Sequence, residues 1–202
     1  MLKTLFKQWT APKSSGPTML GLKLGQTFKI ERPPSECRFD ASTSVEIQRA
    51  GLIKGDNCTV LRFYYEDADF IQLTFKDGLE REHLDAVCLF ELARTQDLAN
   101  DELWNHAINQ ELATSNHSIA EQSFVSANSG PLESEEHLYF QDAPHQISWE
   151  LRRCYQAVDT ADSHHTLLAR VTANEVIPGC LARTLSFFRG YSLEIDQLQI
   201  DH

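Results

Sequence analysis

No run of apolar residues in this chain of 202 approaches the roughly 20 that a bilayer-spanning helix needs, so an integral membrane protein is not expected. Nor does any Cys-x-x-Cys occur. The five cysteines, Cys37, Cys58, Cys88, Cys154 and Cys180, are odd in number and widely spaced, unlike a secreted disulfide framework. The expectation is a reducing, cytoplasmic compartment with buried thiols, Cys58 and Cys88 sitting in apolar runs as small hydrophobes. A Gly-rich phosphate loop followed by Lys and Ser or Thr is missing, and so is a Gly-x-Ser-x-Gly elbow. Positive charge is scarce: 18 Lys and Arg against 29 Asp and Glu leave a net charge of −11. That balance repels a phosphate backbone and argues against nucleic acid as a partner. With 42% hydrophobic and 23% charged residues the chain has ordinary globular usage, which excludes wholesale disorder and suffices for one sizeable core.

What charge there is lies unevenly. Residues 1–30 hold Lys3, Lys7, Lys13, Lys23 and Lys29 and no acid, a balance of +5, while residues 31–202 carry −16. A basic arm on an acidic body suggests contact with something anionic. Within that arm Leu2, Leu5, Phe6 and Trp9 fall at i, i+3, i+4 and i+7, one face of a helix, with Lys3 and Lys7 on its flanks. The candidate membrane or partner contact is therefore Leu2, Lys3, Leu5, Phe6, Lys7 and Trp9. Such a turn can enter the headgroup region of an anionic membrane, with weak affinity, or pack on its own domain. It has no apolar core long enough for an export signal. Pro12, Gly16 and Pro17 then mark residues 10–17 as a linker, giving a leader and linker over 1–17 and a single domain over 18–202.

Alternation dominates the next passage. Leu61, Phe63 and Tyr65 predict one strand and Ile71, Leu73 and Phe75 the next. Both sets share a sheet face only across an odd connection, so Glu66 is expected opposite Phe70, Tyr65 opposite Ile71, Phe63 opposite Leu73 and Leu61 opposite Phe75. Asp67-Ala68-Asp69 is then a three-residue turn. Val45–Ile53 is a weaker strand, turned at Gly55-Asp56-Asn57. Asp77-Gly78 is another tight turn, and Val87–Leu92 reads as a strand buried on both faces. Asn100 is the expected N-cap of a helix over 100–113, with Asp101 and Glu102 in its first turn and an apolar stripe of Leu103, Trp104, Ala107, Ile108 and Leu112. Residues 126–136 read as a polar surface connection and a possible sub-lobe boundary. Further strands are expected at 138–140, 166–172 and 181–188. Residues 147–158 fit a strand or a helix equally. The fold class expected is α+β: mainly antiparallel β-sheet with one principal α-helix and a short amphipathic N-terminal segment.

Chemistry is sparse. His164-His165 with Asp159 and Asp162 offers four possible ligands, yet adjacent histidines in a strand face opposite ways and no zinc spacing accompanies them, so a solvated hairpin turn is expected. Glu133, Glu135, Glu136 and His137 form an acidic cluster that reads as solvated surface; catalysis would need two groups held in a cleft with separated pKa values. Glu66, Asp67 and Asp69 lack the glycine and terminal glutamate of a calcium loop. No catalytic, cofactor-binding or metal residue is assigned.

The runs Pro17-Thr18-Met19-Leu20-Gly21-Leu22-Lys23-Leu24-Gly25-Gln26-Thr27-Phe28, Arg62–Gln72 and Ser186-Phe187-Phe188-Arg189-Gly190-Tyr191-Ser192-Leu193 resemble the YjfK-like family of bacterial proteins of unknown function. The resemblance carries over no catalytic residue. It implies a genomic context beside a membrane-associated, phage-shock-A-like coiled-coil protein, small membrane proteins and an ATP-grasp ligase, and so favours a leader that touches a membrane or a partner. The expected function is a non-catalytic accessory or adaptor protein, without cofactor, binding an unidentified and membrane-associated protein partner. Its expected place is the cytoplasm, peripheral to the inner membrane. The rival is an enzyme, a hydrolase or transferase whose site assembles only in three dimensions; a weaker third reading is a small-molecule sensor with a dry cavity.

Overall fold

Apolar residues on both faces of one strand require two covers, and the tertiary structure supplies them. A computed structural model describes residues 16–66, 68–119, 121–158, 165–177 and 180–200. In chain order its strands are β1 (Thr27–Ile30), β2 (Val45–Glu46), β3 (Arg49–Lys54), β4 (Cys58–Tyr64), β5 (Phe70–Lys76) and β6 (Leu84–Asp97). After a short helix come β7 (Asn116–Ile119), β8 (Gln122–Ser126), β9 (Leu132–Phe140), β10 (Gln146–Ala157), β11 (His165–Ile177), β12 (Cys180–Leu193) and β13 (Leu198–Ile200). Every pairing among them is antiparallel.

Eight strands close on themselves in the order β3-β4-β5-β6-β12-β11-β10-β9 and back to β3, because β10 pairs with β11 as well as with β9. Closure removes the open edges that a flat sheet of this size would expose. Alternate residues of each strand then face a barrel interior, where Tyr64, Phe70, Phe90, Leu138, Leu168 and Phe188 pack together. The other alternates face out and are clad twice. A three-stranded sheet, β13-β1-β2, and its flanking loops cover Leu61, Phe63, Ile71, Leu73, Val87 and Leu89. The helix and the β7–β8 hairpin cover Tyr155, Leu167, Ala169, Val171, Leu185 and Phe187.

This architecture corrects the expected fold class. Strands make up 58% of the described residues, and the helix, α1 (Asp101–His106) continuing as a π-helical turn over Ala107–Glu111, has only 11 residues. It is a cladding element, not a principal one. Its start is as expected, with the Asn100 side chain accepting from the Leu103 N–H at 2.9 Å. Residues 147–158 resolve to strand β10, since the periodicity of Ile147, Leu151, Cys154, Tyr155 and Val158 is overridden by three neighbouring strands. Of the polar connection, only 127–131 is loop; Leu132–Glu136 belongs to β9 and pairs with β10, and from Glu136 onward β9 pairs with β3 as well.

The hairpin is shifted by two residues from its expected register. Tyr64 opposes Phe70, Phe63 opposes Ile71, Leu61 opposes Leu73 and Thr59 opposes Phe75, so the connection is five residues long. Both lengths are odd, which is why the apolar sets still share a face. The longer connection follows from Asp69, whose carboxylate accepts from the Leu92 N–H at 2.7 Å and from Arg38 at 2.9 Å. Asp69 is thus tied to β6 and to the 31–44 segment and does not sit at the turn's tip. The leader residues Leu2, Lys3, Leu5, Phe6, Lys7 and Trp9 lie outside the described residues, as do Asp67, Asp159, Asp162 and His164.

Candidate functional site

The charged residues of the barrel strands gather on the inside. Arg62 on β4 is fully buried, as are Glu136 on β9 and Glu150 on β10. From Arg62, Nη1 donates to Glu150 Oε2 at 2.7 Å and to Glu136 Oε2 at 3.2 Å, while Nε donates to Gln72 Oε1 at 3.1 Å across the β4–β5 pair. Arg170 on β11 reaches Glu136 at 3.4 Å and Glu150 at 3.6 Å, and donates to the Tyr64 hydroxyl at 3.0 Å. Tyr64 in turn donates to Glu136 Oε1 at 2.7 Å. Ser134 donates to Glu150 at 3.0 Å, and Arg152 pairs with the same carboxylate. Both arginines also face aromatic rings, Arg62 over Phe70 at 5.3 Å and Arg170 over Phe188 at 5.2 Å.

Burial alone would favour the neutral acid at Glu150, but Arg62, Arg170 and Arg152 outweigh it and hold the carboxyl well below its ordinary range. Burial works against the charge on Arg62 too, and Glu150 and Glu136 more than restore it. Tyr64 is pushed up by burial, so its proton stays on. The result is an ionised, hydrogen-bonded network filling the middle of the barrel. Gly51 on β3 makes room for it: a Cβ there would overlap the Glu136 carboxylate.

Two smaller clusters lie outside this network. Outside the barrel, beside the 31–44 segment, Arg38 holds the buried carboxylates Asp69 and Glu91, and the Arg38 backbone N–H donates to Glu91 at 2.6 Å. Burial raises the pKa of Glu91 despite those contacts, and burial likewise raises that of the Cys37 thiol nearby. On the outer face of β9, His137 Nδ1 lies 3.1 Å from His145 Nε2, with Tyr139 against the His145 ring. Burial, with the neighbouring His137, lowers the pKa of His145. Among the described residues no three of His, Cys, Asp and Glu converge as a metal would require. A surface hollow of about 370 Å³ is lined by Asp97, Leu98, Ala99, Leu181, Ala182 and Arg183.

Strand alternation splits the acidic cluster of the sequence. Glu133, Glu135 and His137 face outward, as solvated surface requires of the two exposed acids, but Glu136 is 1% exposed and belongs to the network. His165 is no solvated turn residue; it begins β11 and lies 3.4 Å from Glu36. The thiols are less uniformly buried than expected: all five are free, four are half-buried and Cys180 is exposed. Burial pushes Cys88 up to about 11, a poor nucleophile. Sequence reasoning missed Arg62, Tyr64, Glu150 and Arg170. The available signal was a charge on the second face of a strand whose first face was already apolar.

No helix among the described residues is long and apolar enough to cross a membrane. No curated protein and no solved structure matches the chain. A family described as "Protein of unknown function (DUF2491)" matches residues 1–199, and with nearly the whole length covered the chain belongs to that family.

Proposed function

We propose that this protein is a non-catalytic accessory or adaptor protein, a rigid clad barrel that presents its surface and its basic leader to a protein partner at an anionic membrane surface. The observation that carries the reading is the occupied interior. Eight-stranded barrels that bind small molecules hold them inside, whereas here Arg62, Arg170, Glu136, Glu150, Tyr64 and the surrounding phenylalanines fill that space with their own contacts. The interior carboxylates are committed to guanidiniums, and the outer carboxylates Asp69 and Glu91 are committed to Arg38 and backbone N–H groups. None is presented to a substrate in the arrangement a hydrolase would use. The partner and membrane parts draw on the leader's composition and on the resemblance to YjfK-like proteins, which also favours the cytoplasmic face of the inner membrane.

Flotation with phosphatidylglycerol-containing vesicles tests the membrane part. The full chain should float and its Leu5→Asp/Phe6→Asp variant should not; equal flotation ends that part of the reading. Turnover of any substrate that disappears on replacing Glu91 or Asp69, with thermal unfolding unchanged, would replace the adaptor reading by the enzymatic one.

A further inference from the structure

We infer that residues 31–44 form a strap that lifts off the barrel as a unit, latched shut by Arg38, while the barrel beneath stays closed. The inference rests on the strap's own contacts and is independent of the adaptor reading. The segment joins β1 to β2 without helix or strand of its own. None of its residues is buried: Pro33, Pro34, Cys37 and Phe39 are half-buried and the rest are exposed. Its two ends are fixed. The Glu31 N–H donates to the Gln197 carbonyl at 2.9 Å, Gln197 Nε2 donates to the Arg32 carbonyl at 2.7 Å, and Phe28 pairs with Val45 across the root. The stretch beyond Phe39 keeps its own turn, since the Asp40 carboxylate accepts from the Ser42 N–H at 2.8 Å and the Asp40 carbonyl from the Thr43 N–H at 3.0 Å. Lifting the middle breaks none of these.

The hold of that middle on the barrel is polar and centred on one residue. The Arg38 side chain is 64% exposed, yet it donates to Asp69 at 2.9 Å and to the Leu92 carbonyl at 3.3 Å, and its backbone N–H donates to Glu91 at 2.6 Å. The Phe39 backbone hydrogen-bonds the same carboxylate, and its ring rests on Phe28 and Tyr65, with centroids 5.9 and 5.7 Å away. The Tyr191 hydroxyl donates to the Glu36 carbonyl at 3.2 Å. Under these contacts Asp69, Glu91, Tyr65 and Tyr191 are each at most 6% exposed. A broken ion pair is costly when the charge left behind stays out of water. Here both acids and the base meet water together as the strap lifts, so that penalty is absent. Glu91 gains outright, because burial works against its charge even with Arg38 beside it. The interior pair of Arg62 and Glu150 has no such escape short of unfolding. Open, the strap bares two acids flanked by two tyrosine rings; closed, it withholds that face from solvent and from a partner.

Native-state hydrogen exchange of the isotopically labelled full chain, followed amide by amide at rising urea, tests this. The amides at positions 38 and 39 should exchange through an opening that low urea does not promote, while those of β5 and β6 wait for the urea-sensitive global transition. Glu150→Gln weakens only the barrel, so it should speed the β5 and β6 amides and leave positions 38 and 39 unmoved. Arg38→Ala should speed positions 38 and 39 by about ten- to a hundredfold, the scale of one hydrogen bond to a charged group. Three results would overturn the inference. Exchange at 38 and 39 in step with the barrel, in urea or in Glu150→Gln, would mean that the segment leaves only on unfolding. Unprotected exchange there in the parent, or an unchanged rate in Arg38→Ala, would mean that no latch exists. The urea series on the parent gives its reading even where a variant fails to fold.

Discussion

Replacing Glu150 by Gln removes one charge from the barrel interior at nearly constant volume. The side chain is fully buried, and its oxygens receive Arg62 at 2.7 and 3.3 Å, Ser134 at 3.0 Å and the approach of Arg170 at 3.6 Å. In the variant one oxygen becomes an amide donor facing guanidinium donors, and Glu136 alone must balance Arg62 and Arg170. Breaking a buried pair from one side costs about 3–5 kcal/mol, because the partner charge stays out of water uncompensated. In a domain of this length that is a fall in Tm of about 6–20 °C. Urea unfolding followed by circular dichroism measures it. The double replacement Arg62→Met/Glu150→Met should recover much of the loss, since an apolar pair of similar volume is often neutral where a broken ion pair is not. The cycle should then give a coupling of about 0.5–3 kcal/mol. A Glu150→Gln variant within about 1 kcal/mol of the parent, or strictly additive singles, would show that water reaches the network and would refute the picture of a dry ionic core.

Two carboxyls should titrate stability in opposite directions. Glu150 is lowered from its ordinary 4.5, so its contribution is complete above that pH and drains as pH falls toward the folded value; Glu91 is raised, so its contribution is present below 4.5 and is lost as pH rises through the folded value. Unfolding free energies between pH 3 and 7 should therefore fall less steeply with acid in Glu150→Gln than in the parent, and Glu91→Gln should gain on the parent as pH rises. Gly51→Ala should cost about 1–3 kcal/mol by overpacking, because the Glu136 carboxylate it would meet is pinned by Arg62 and Tyr64 and cannot swing aside; wild-type stability in that variant would mean Glu136 is free to move. Asn100→Ala should cost about 1 kcal/mol through the lost cap and weaken the near-ultraviolet signal of the Trp104–Trp149 contact, whose ring centroids lie 5.6 Å apart.

Local chemistry was legible where a residue's role depends on its immediate neighbours. Asn100 before Asp101 and Glu102 marks a helix start whatever surrounds it. Alternation at Leu61 and Phe63, and at Ile71 and Leu73, fixes which residues share a face, because successive side chains of a strand must point opposite ways. The same rule could not choose between registers two residues apart, as each satisfies it. That choice fell to Asp69, which answers to Arg38 and Leu92. Glu136 looked like part of an exposed acidic run because its neighbours Glu133 and Glu135 are exposed; its own face is decided by parity within a strand whose start lay hidden in a polar stretch.

By itself, then, the sequence determined that the chain is largely antiparallel β, that the Val87–Leu92 stretch of β6 is buried on both sides, and where the helix begins, since propensity, capping and alternation act within a few residues. The tertiary structure alone decided that the sheet closes and that the helix is reduced to cladding. It also decided that the interior is ionic. Arg62 and Glu150 are 88 residues apart, Arg62 and Glu136 are 74, and each is a surface-seeking residue until β10 meets β11 and the barrel shuts around them. A charge becomes a core residue only when its counter-charge is delivered by a distant strand, and no local pattern specifies that delivery.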